Sequence, residues 1–562
     1  MRALVAGTML IWANAAAAVT PALPPETVIT GAMIYDGSGG APYSGWIGFA
    51  GDRILDVARG PGPTGTRATL DAHGLAVAPG FINMLSWATE SLIADGRAVS
   101  DLKQGVTLEV MGEGESMGPL SPALKAYSVK QQGDIKYPIT WTTLGEYLAM
   151  LEKRGIAPNV ASFVGATTVR VHVLGFDDVD PTPAQLGEMR SLVRAAMNEG
   201  AMGVGSSLIY APAFFAETPE LIALATESAK CGGMYISHIR NESYDIGGAI
   251  AELIDIAKAS GGPAEIYHLK QAGRANWGKL DAVIAQVEAA RAAGIRITAD
   301  MYTYTAGATG LDAAMPLWVQ AGGYDKWAER LRDPAIRARV AAEMRKEFPG
   351  QENLLLAAGS PDKVLLLGFR NDKLKPLTGK TLAEVAKLRG VSPEEAAIDL
   401  VIEDGSRVGT AYFLMDEANV RRQTALPWVG LGSDAEAPAA EGVFLKSNSH
   451  PRAYGNVARF LGKYVRDEKT TSLADAVRRL TSQPAANLGI KDRGTLAPGM
   501  FADIVVFDPA TIADHATYDR PAQYATGVSQ VFVNGVQVLK DGEPTGAAAG
   551  RFVKGPGAGR CH

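Results

Sequence analysis

Two of the seven histidines in this 562-residue sequence end predicted strands and lie thirty residues apart. His238 and His268 each close a short apolar run of the kind that forms a buried strand. Thirty residues is about the length of one strand–helix unit, so the two imidazoles would face each other from neighbouring parallel strands. A single histidine there is usually a hydrogen-bonded core residue, whereas two at equivalent strand ends favour a metal site.

A carboxylate ends another apolar run, from Gly430 to Asp434. At the end of a strand, Asp434 could act as a base that takes a proton from an activated water and passes it to a leaving nitrogen. The alternative is structural, because aspartate is also a common N-cap of a following helix.

The third metal ligand is expected in the strand that leads to Glu113. Strict alternation would place Leu108 and Val110 toward the helices, and Glu109 and Glu113 in the interior of a barrel. Glu113 would then lie at the upper end, where a ligand is needed, and Glu109 would lie deeper and need a buried partner. Glu115 has the same parity, but Gly114 makes the backbone between them hard to predict.

The elements that must hold these side chains alternate between buried strands and helices, which is typical of parallel βα units. Eight strands close a (β/α)₈ TIM barrel, whose catalytic groups lie at the carboxyl ends of the strands. Two of the intervening segments, Leu253–Ala259 and Leu280–Ala293, have helical spacing of their apolar residues. The predicted strands are Leu75–Met84, Val106–Met111, Val160–Val164, Met202–Ser206, Met234–His238, Ala264–His268, Ile295–Asp300 and Trp428–Asp434.

The stretch from about 317 to 426 is far longer than one crossover helix needs. It contains charged segments with helical patterns, Trp327–Phe348 and Leu382–Leu400. We therefore expect a subdomain inserted over the mouth of a barrel that spans residues 77–489.

Both ends of the sequence carry short strands bounded by Gly and Asp turns. Neither end has enough strands to build a core alone. We expect residues 22–76 and 490–562 to complete one small β-sandwich domain together, which makes the whole chain an α/β protein with a barrel, a sandwich and an insertion.

Residues 1–18 have the pattern of a secretory signal peptide: one positive charge, a short apolar run and small residues before the cleavage point. The run is too short to span a bilayer. We expect export to the periplasm or the medium, and a soluble mature protein that does not bind membranes.

Composition excludes several classes of protein. The formal net charge of −6 argues against a nucleic-acid binder, which needs a basic face. The two cysteines, Cys231 and Cys561, are too few for a four-cysteine zinc site, and we do not expect them to staple a chain of this length.

Several motifs together resemble the amidohydrolase superfamily, and within it the D-aminoacylase (N-acyl-D-amino-acid deacylase) family, over nearly the whole chain after residue 18. The resemblance rests on Ala78–Ile82, Gly105–Thr107, Ser237–Arg240, Ala299–Gly307, Gly432–Asp434, Ser449–Arg452 and Gly494–Val505.

The resemblance implies zinc-dependent hydrolysis of an amide bond next to a D-amino acid. It implies that His238 and His268 hold the zinc and that Asp434 is the general acid/base. It also implies that Tyr304 and Arg452 bind the carboxylate of the substrate, and a guanidinium suits that task because it binds a carboxylate in two places.

The sequence departs from the family at two places. The His-x-His pair of the first strand is replaced by Leu85 and Trp87, which cannot bind zinc, and the strand-two cysteine is replaced by the segment that contains Glu113. A carboxylate can take the place of a thiolate on zinc. We therefore expect one zinc per chain, bound by Glu113, His238 and His268, with Glu115 as the second choice for the third ligand.

Three functions remain open at this stage. The first is a zinc amidohydrolase that cleaves an N-acyl or peptidyl bond to a D-amino acid. The second keeps the barrel and the metal, but the substrate is a cyclic amide or a C-terminal peptide bond. The third is a pocket that binds a small molecule without turnover. In each case the partner is a small molecule with a carboxylate, and a homo-oligomer is possible.

Overall fold

The structure is a computed structural model that describes residues 25–64, 66–348 and 350–561. The predicted signal peptide, residues 1–18, lies outside the described residues. No helix within the described ranges is long and apolar enough to cross a bilayer.

The first part of the chain forms strands that precede the barrel. The last of them, β5 (Ala76–Pro79), is separated from the first barrel strand by Gly80 alone. A Cβ at Gly80 would lie 2.1 Å from Oγ1 of Thr107, so only glycine fits at this crossing. The predicted strand Leu75–Met84 is therefore divided between two sheets. The strands are β1 (Thr27–Ile34), β2 (Tyr43–Ala50), β3 (Arg53–Arg59), β4 (Ala68–Asp71) and β5 (Ala76–Pro79).

Parallel strands of the barrel follow in the predicted order. They pair in two ladders, β6–β7–β8 and β9–β10–β11–β12–β13. Phe163 joins β8 to β9, and its backbone N–H donates to the carbonyl of Met111. The strands are β6 (Phe81–Asn83), β7 (Val106–Met111), β8 (Asn159–Ser162), β9 (Val164–Gly165), β10 (Gly203–Ser207), β11 (Met234–His238), β12 (Ala264–Ile266) and β13 (Ile297–Ala299).

The segment 428–434 closes the barrel as its eighth member, although it is too irregular to form a continuous strand. On one side, the N–H of Gly430 donates to the carbonyl of Ala299 at 2.7 Å. On the other, the N–H of Asp434 donates to the carbonyl of Leu85 at 2.9 Å. The predicted TIM barrel is confirmed.

Helices cover the outside of the barrel, and the predictions around residues 253 and 280 are confirmed by α8 (Ile246–Ser260) and α9 (Leu280–Ala292). Their apolar faces pack with the outward side chains of the strands in one large core. The helices are α1 (Ser91–Ala94), α2 (Val99–Leu102), α3 (Pro122–Gln131), α4 (Leu144–Arg154), α5 (Ala166–Leu174), α6 (Pro183–Glu199), α7 (Thr218–Lys230), α8 (Ile246–Ser260) and α9 (Leu280–Ala292).

The segment after β13 builds a second hydrophobic core of its own, with buried residues from Leu311 to Leu414. Each long helix predicted there is two shorter ones. Asp333 caps a new helix at Pro334, and Gly390 with a positive φ, followed by Pro393, divides the second pair. The elements are β14 (Gly307–Gly310), α10 (Leu317–Gln320), α11 (Tyr324–Arg330), α12 (Pro334–Glu343), α13 (Leu354–Ala358), β15 (Val364–Gly368), α14 (Leu382–Arg389), α15 (Pro393–Asp404), β16 (Gly409–Tyr412) and α16 (Glu417–Thr424).

The chain then returns to the first sheet. After α17 (Arg452–Arg459), α18 (Leu473–Leu480) and α19 (Ser482–Asn487) come β17 (Ile504–Phe507), β18 (Val528–Val533), β19 (Val536–Lys540) and β20 (Glu543–Pro544). The sheet order is β20–β19–β18–β17–β5–β1–β2–β3, and β4 pairs with β1. The rings of Phe49 in β2 and Phe532 in β18 are 5.3 Å apart, although three strands separate β2 from β18 along the sheet. The sheet therefore folds over its own core as the predicted β-sandwich.

Residues after β20 form a tail that runs beneath the amino ends of the barrel strands. The N–H of Gly550 donates to the carbonyl of Ile156, and the N–H of Gly555 donates to the carbonyl of Gly200. A disulfide joins Cys561 to Cys231, which lies between α7 and β11. The expectation that the cysteines do not staple the chain is wrong, because the tail folds back and closes a loop of 330 residues.

Candidate metal centre and active site

Glu113, His238 and His268 come together at the carboxyl end of the barrel. One ligand atom from each residue lies within 4.8 Å of the other two, and all three residues are buried. Glu113 Oε1 is 3.0 Å from His238 Nδ1 and 3.0 Å from His268 Nε2. Two imidazoles and a carboxylate around one point are a donor set of hydrolytic zinc sites, so these residues fit a metal ion.

Glu113 reaches this point by a different route from the one the strand pattern predicts. Leu108 and Val110 pack in the barrel interior with apolar residues of the neighbouring strands, so the predicted parity of β7 is wrong. Glu109 faces outward, where it accepts a hydrogen bond from Asn83 at 2.9 Å, and burial raises its pKa to about 7. Gly112 has a φ of 105°, which breaks the alternation and turns Glu113 inward.

Glu115 does not join the cluster, and its side chain is exposed. Its backbone N–H donates to the carbonyl of Glu113 at 2.6 Å, which stabilises the sharp turn after Gly112. Of the two candidates for the third ligand, the structure therefore brings only Glu113 to the histidines.

Two further buried residues surround the cluster, and the sequence analysis missed both. Glu242 Oε1 is 3.1 Å from His268 Nδ1 and 2.7 Å from Lys270 Nζ, and Glu242 Oε2 is 3.5 Å from His238 Nε2. Burial would raise the pKa of Glu242, but Lys270 and the histidines outweigh it and hold that pKa low. Such outer partners orient metal-binding imidazoles. A sequence signal for Lys270 was available, because a residue two positions after His268 would share its direction if the predicted strand continued.

The backbone at the site is held in uncommon conformations at two functional residues. His268 has a φ of 34° and Asp434 a φ of 50°, a region that non-glycine residues seldom occupy. The N–H of His268 donates to Oδ1 of Asp300 at 2.8 Å, which holds the imidazole over the strand end.

Asp434 lies at the same end of the barrel and is paired with Arg452. Arg452 Nη2 is 2.9 Å from Asp434 Oδ2. Burial and the nearby Glu113 carboxylate raise the pKa of Asp434 against the opposing effect of Arg452. Asp434 is therefore a stronger base when ionised than an exposed aspartate.

Arg452 also packs against an aromatic ring. Its Cζ lies 4.5 Å from the ring centroid of Tyr302. Nε and Nη1 of Arg452 and the hydroxyl of Tyr302 are buried without a hydrogen-bond partner. Because buried polar atoms are normally paired, these groups are ready to bind a polar ligand.

The structure does not bring Tyr304 to this group. Its hydroxyl donates to Asp514 at 3.0 Å, and Arg459 Cζ lies 5.0 Å from its ring centroid. The alternation of side chains around residue 303 could have shown that Tyr302 and Tyr304 share a direction, but not which of the two reaches the strand end.

The inserted segment also reaches the centre. Glu352 accepts a hydrogen bond from the backbone N–H of Glu242, and burial raises the pKa of Glu352 to about 7. Arg407 Cζ lies 4.9 Å from the ring centroid of Tyr210, and that ring is 5.3 Å from the ring of His238. The insertion therefore forms part of the wall around the candidate site.

The site's chemistry agrees with what the chain is similar to. Residues 68–539 match the sequence profile of the Amidohydrolase family. The chain is 31% identical to a D-aminoacylase of Alcaligenes xylosoxydans xylosoxydans over 94% of its own length and 98% of that protein. It is also 31% identical to an N-acyl-D-aspartate deacylase of the same organism, with 95% of each chain covered.

A solved structure supports the same likeness. The N-acyl-D-glutamate deacylase of Bordetella bronchiseptica, complexed with zinc and a phosphonate inhibitor that mimics the tetrahedral intermediate, superposes with a TM-score of 0.78. The identity is 28%, over 95% of this chain and 100% of that one. The match covers the barrel, the sandwich and the insertion together.

Proposed function

The chain belongs to the amidohydrolase family, and from that membership we propose that it is a deacylase of N-acyl-D-amino acids that uses one zinc ion. It is a metal-dependent hydrolase of C–N amide bonds. One observation carries the proposal: the buried cluster of Glu113, His238 and His268 lies at the same barrel end as an Asp434–Arg452 pair.

The metal-binding residues are proposed to be Glu113, His238 and His268. Zinc bound there would polarise the scissile carbonyl and lower the pKa of a coordinated water to about 7. Glu242 and Lys270 hold the far side of His268, so that its Nε2 points at Glu113. Leu85 and Trp87 offer no donor for a second zinc, which supports one ion per chain.

Asp434 is proposed as the general base and then the general acid. Its carboxylate accepts a proton from the attacking water and returns it to the leaving nitrogen of the amino acid. The raised pKa of Asp434 favours the first transfer, because it makes the carboxylate a better proton acceptor. Arg452 holds the carboxylate in place through Oδ2.

Arg452 and Tyr302 are proposed to bind the carboxylate of the substrate. Two guanidinium nitrogens of Arg452 and the hydroxyl of Tyr302 are buried and unpaired, and a carboxylate would supply acceptor oxygens to donors of this group. Tyr302 thus takes the role that the family resemblance implied for Tyr304, whose hydroxyl is bonded to Asp514.

The substrate class rests on the relatives. The similar proteins are named for D-amino acids, D-aspartate and D-glutamate, and all three names describe removal of an acyl group from an amino acid of D configuration. We extend that class to this chain, with the side-chain preference left to the experiment.

We further propose that the protein is exported. The disulfide between Cys231 and Cys561 supports this, because such bonds persist in oxidising compartments and are rare in the cytosol. Expression of the full chain in a bacterial host should yield a periplasmic protein whose mass lacks about the first 18 residues. A full-length cytosolic product with free thiols would contradict export.

The test of the activity uses purified protein reconstituted with one equivalent of zinc. N-acetyl derivatives of D- and L-amino acids with apolar and acidic side chains are compared by release of free amine. We expect turnover of D-substrates only, and none after metal removal by a chelator. Hydrolysis of cyclic amides or C-terminal peptide bonds without deacylation would contradict the proposal, as would zinc binding without turnover of any amide.

A further inference from the structure

We propose that the indole N–H of Trp87 occupies the side of Glu113 on which a second cation would bind, and thereby restricts the centre to one metal. This inference rests on the metal centre of the proposed function. Trp87 is a positioning residue in this view, because it acts on the metal through Glu113 and does not touch the reacting atoms.

The two oxygens of Glu113 have separate partners. Oε1 faces the two imidazoles at 3.0 Å each. Oε2 accepts a hydrogen bond from Nε1 of Trp87 at 2.9 Å. A carboxylate that bridges two cations uses one oxygen for each, so an N–H on Oε2 leaves Oε1 alone for a metal.

Trp87 is held rigidly in the position from which it donates. Its backbone N–H donates to the carbonyl of Ala435 at 2.9 Å, and the N–H of the preceding Ser86 donates to the carbonyl of Val110 at 2.9 Å. Trp87 is therefore held between β7 and the closing segment of the barrel. Its acceptor in that segment, Ala435, directly follows Asp434. A donor fixed in this way orients the carboxylate at little cost in conformational entropy.

The described residues offer no second group of ligands on this side of Glu113. Among the residues that the structure describes, Glu113, His238 and His268 form the one group of three potential ligands close enough to share an ion. Leu85 is fully buried in the apolar core of the barrel. Asp434 faces the guanidinium of Arg452, whose positive charge would repel a second cation.

The indole N–H also gives the second oxygen of Glu113 a partner, which a second cation would otherwise supply. A carboxylate with one oxygen on a metal leaves the other oxygen buried, and an unpaired buried oxygen is costly. Trp87 satisfies it with a neutral donor, so Glu113 keeps its full charge for a single zinc. A second zinc would have to displace the hydrogen bond from Trp87 and find its remaining ligands elsewhere.

The experiment measures metal binding directly, without substrate. Metal-free wild-type protein and three variants are dialysed against a large excess of zinc and then against buffer, and zinc per chain is measured by mass spectrometry. Zinc affinity is measured by competition with a chromophoric chelator. The variants are Trp87→Phe, which keeps an aromatic ring but loses the N–H, the double variant Leu85→His/Trp87→His, and Trp318→Phe.

Trp318→Phe is the matched control. Nε1 of Trp318 donates to a carboxylate oxygen of Glu343 at 2.6 Å, within the inserted segment and away from the centre. The Trp318→Phe substitution therefore removes a hydrogen bond of the same kind, from an indole N–H to a carboxylate. Thermal unfolding of the metal-free proteins reports whether any variant has lost its fold.

We expect one zinc per chain in wild type and in Trp318→Phe, with the same affinity. Trp87→Phe should bind its zinc about 10-fold or more weakly, as is usual when an outer partner of a ligand is lost. The double histidine variant should bind a second zinc. The zinc content of the wild-type protein tests the proposal by itself, even if every variant unfolds. Two zinc ions per wild-type chain would overturn the proposal.

The remaining outcomes separate this proposal from the proposed function. If wild type binds one zinc and Trp87→Phe binds it equally well with an unchanged fold, the role of Trp87 is wrong and the deacylase proposal stands. If wild type binds no zinc at any concentration, both proposals fail.

Discussion

The two ends of the barrel differ in how their polar groups are used. At the carboxyl end, Arg452, Tyr302 and His238 each have buried polar atoms without a hydrogen-bond partner. At the amino end, beneath the strands, Arg493 and Asp503 form a buried ion pair that is bonded onward to Asn534. The unpaired groups of Arg452, Tyr302 and His238 lie where a ligand can bind them, whereas the groups of this junction are paired with one another and hold the fold.

At the amino end, the buried polar groups of Asn534 have hydrogen-bond partners in three parts of the molecule. Nδ2 of Asn534 donates to Oδ1 of Asn159 and to the carbonyl of Ala549, each at 2.8 Å. One asparagine thus joins the sandwich, the barrel and the tail. The difference teaches that stability and chemistry occupy opposite ends of the same strands, and substitutions at the two ends should therefore affect different measurements.

The largest expected effect is at Asp434. Asp434→Asn keeps the shape and leaves an oxygen near Arg452, but it cannot take a proton from water. We expect kcat/KM to fall by about 10³-fold, in the range for loss of a general acid/base. Zinc content and the thermal midpoint should stay at wild-type values. If Asp434→Asn retained most of the activity, Asp434 would not be the proton-transfer residue. The assignment of chemistry to the carboxyl end of the barrel would then lose its main support.

The next effect is on substrate binding. Arg452→Met should raise KM for N-acyl-D-amino acids by about 100-fold, because a buried charged pair with the substrate carboxylate is lost. Tyr302→Phe should raise KM less, and Tyr304→Phe should leave it unchanged. Steady-state kinetics with free and esterified substrates check this, since the esters lack the carboxylate. Equal losses for both substrates would argue against carboxylate binding.

A smaller effect, on stability alone, is expected at the amino end. Cys561→Ser should lower the free energy of unfolding by about 2 kcal/mol, at the lower end for loss of a disulfide because the tail keeps its hydrogen bonds. Denaturant unfolding measures it, with kcat and KM as controls that should not move. A loss of activity in the folded variant would mean that the two ends are coupled.

The smallest expected effect is a pH dependence of stability at Glu227, near Cys231. Burial would raise its pKa, but Arg190, Lys230 and Arg194 outweigh it and lower the pKa to about 2. Its contribution is present above pH 4.5 and is lost as the pH falls toward 2. Glu227→Gln should therefore flatten the acid limb of the unfolding curve, by less than about 1 kcal/mol because its partners are partly exposed. An unchanged acid limb would show that these pairs contribute nothing measurable.

Much of this arrangement could be predicted from the sequence, and the failures have physical causes. Strand ends located His238, His268 and Asp434, because parallel strands bring their carboxyl ends to one edge. The structure places Glu113 beside the two histidines, as the sequence predicts, although the predicted parity of β7 is wrong. In β7 the side chains of Leu108 and Val110 point into the barrel, which is the reverse of the prediction. The bend at Gly112 changes the alternation, so that Glu113 points inward as well.

Other features depend on contacts that no local pattern encodes. Tyr302 and Tyr304 have the same parity, and only the position of Asp514, far along the chain, decides which hydroxyl is free. The pairing of Cys231 with Cys561 depends on the path of the tail beneath the barrel. The breaks in the helices of the insertion, by contrast, were marked by Pro334 and by Gly390 with Pro393, and a closer use of those signals would have found them.

The pairing of β5 with β17 has a consequence for synthesis. β5 precedes the barrel and β17 follows its last helix, so the sheet cannot close until the ribosome has made the whole barrel between them. The tail that hydrogen-bonds beneath the strands is made later still. Contacts so distant along the chain form slowly. During synthesis, strands β1 to β5 therefore lack their partner strand β17 until most of the chain has been made, although the barrel between them is already complete in sequence.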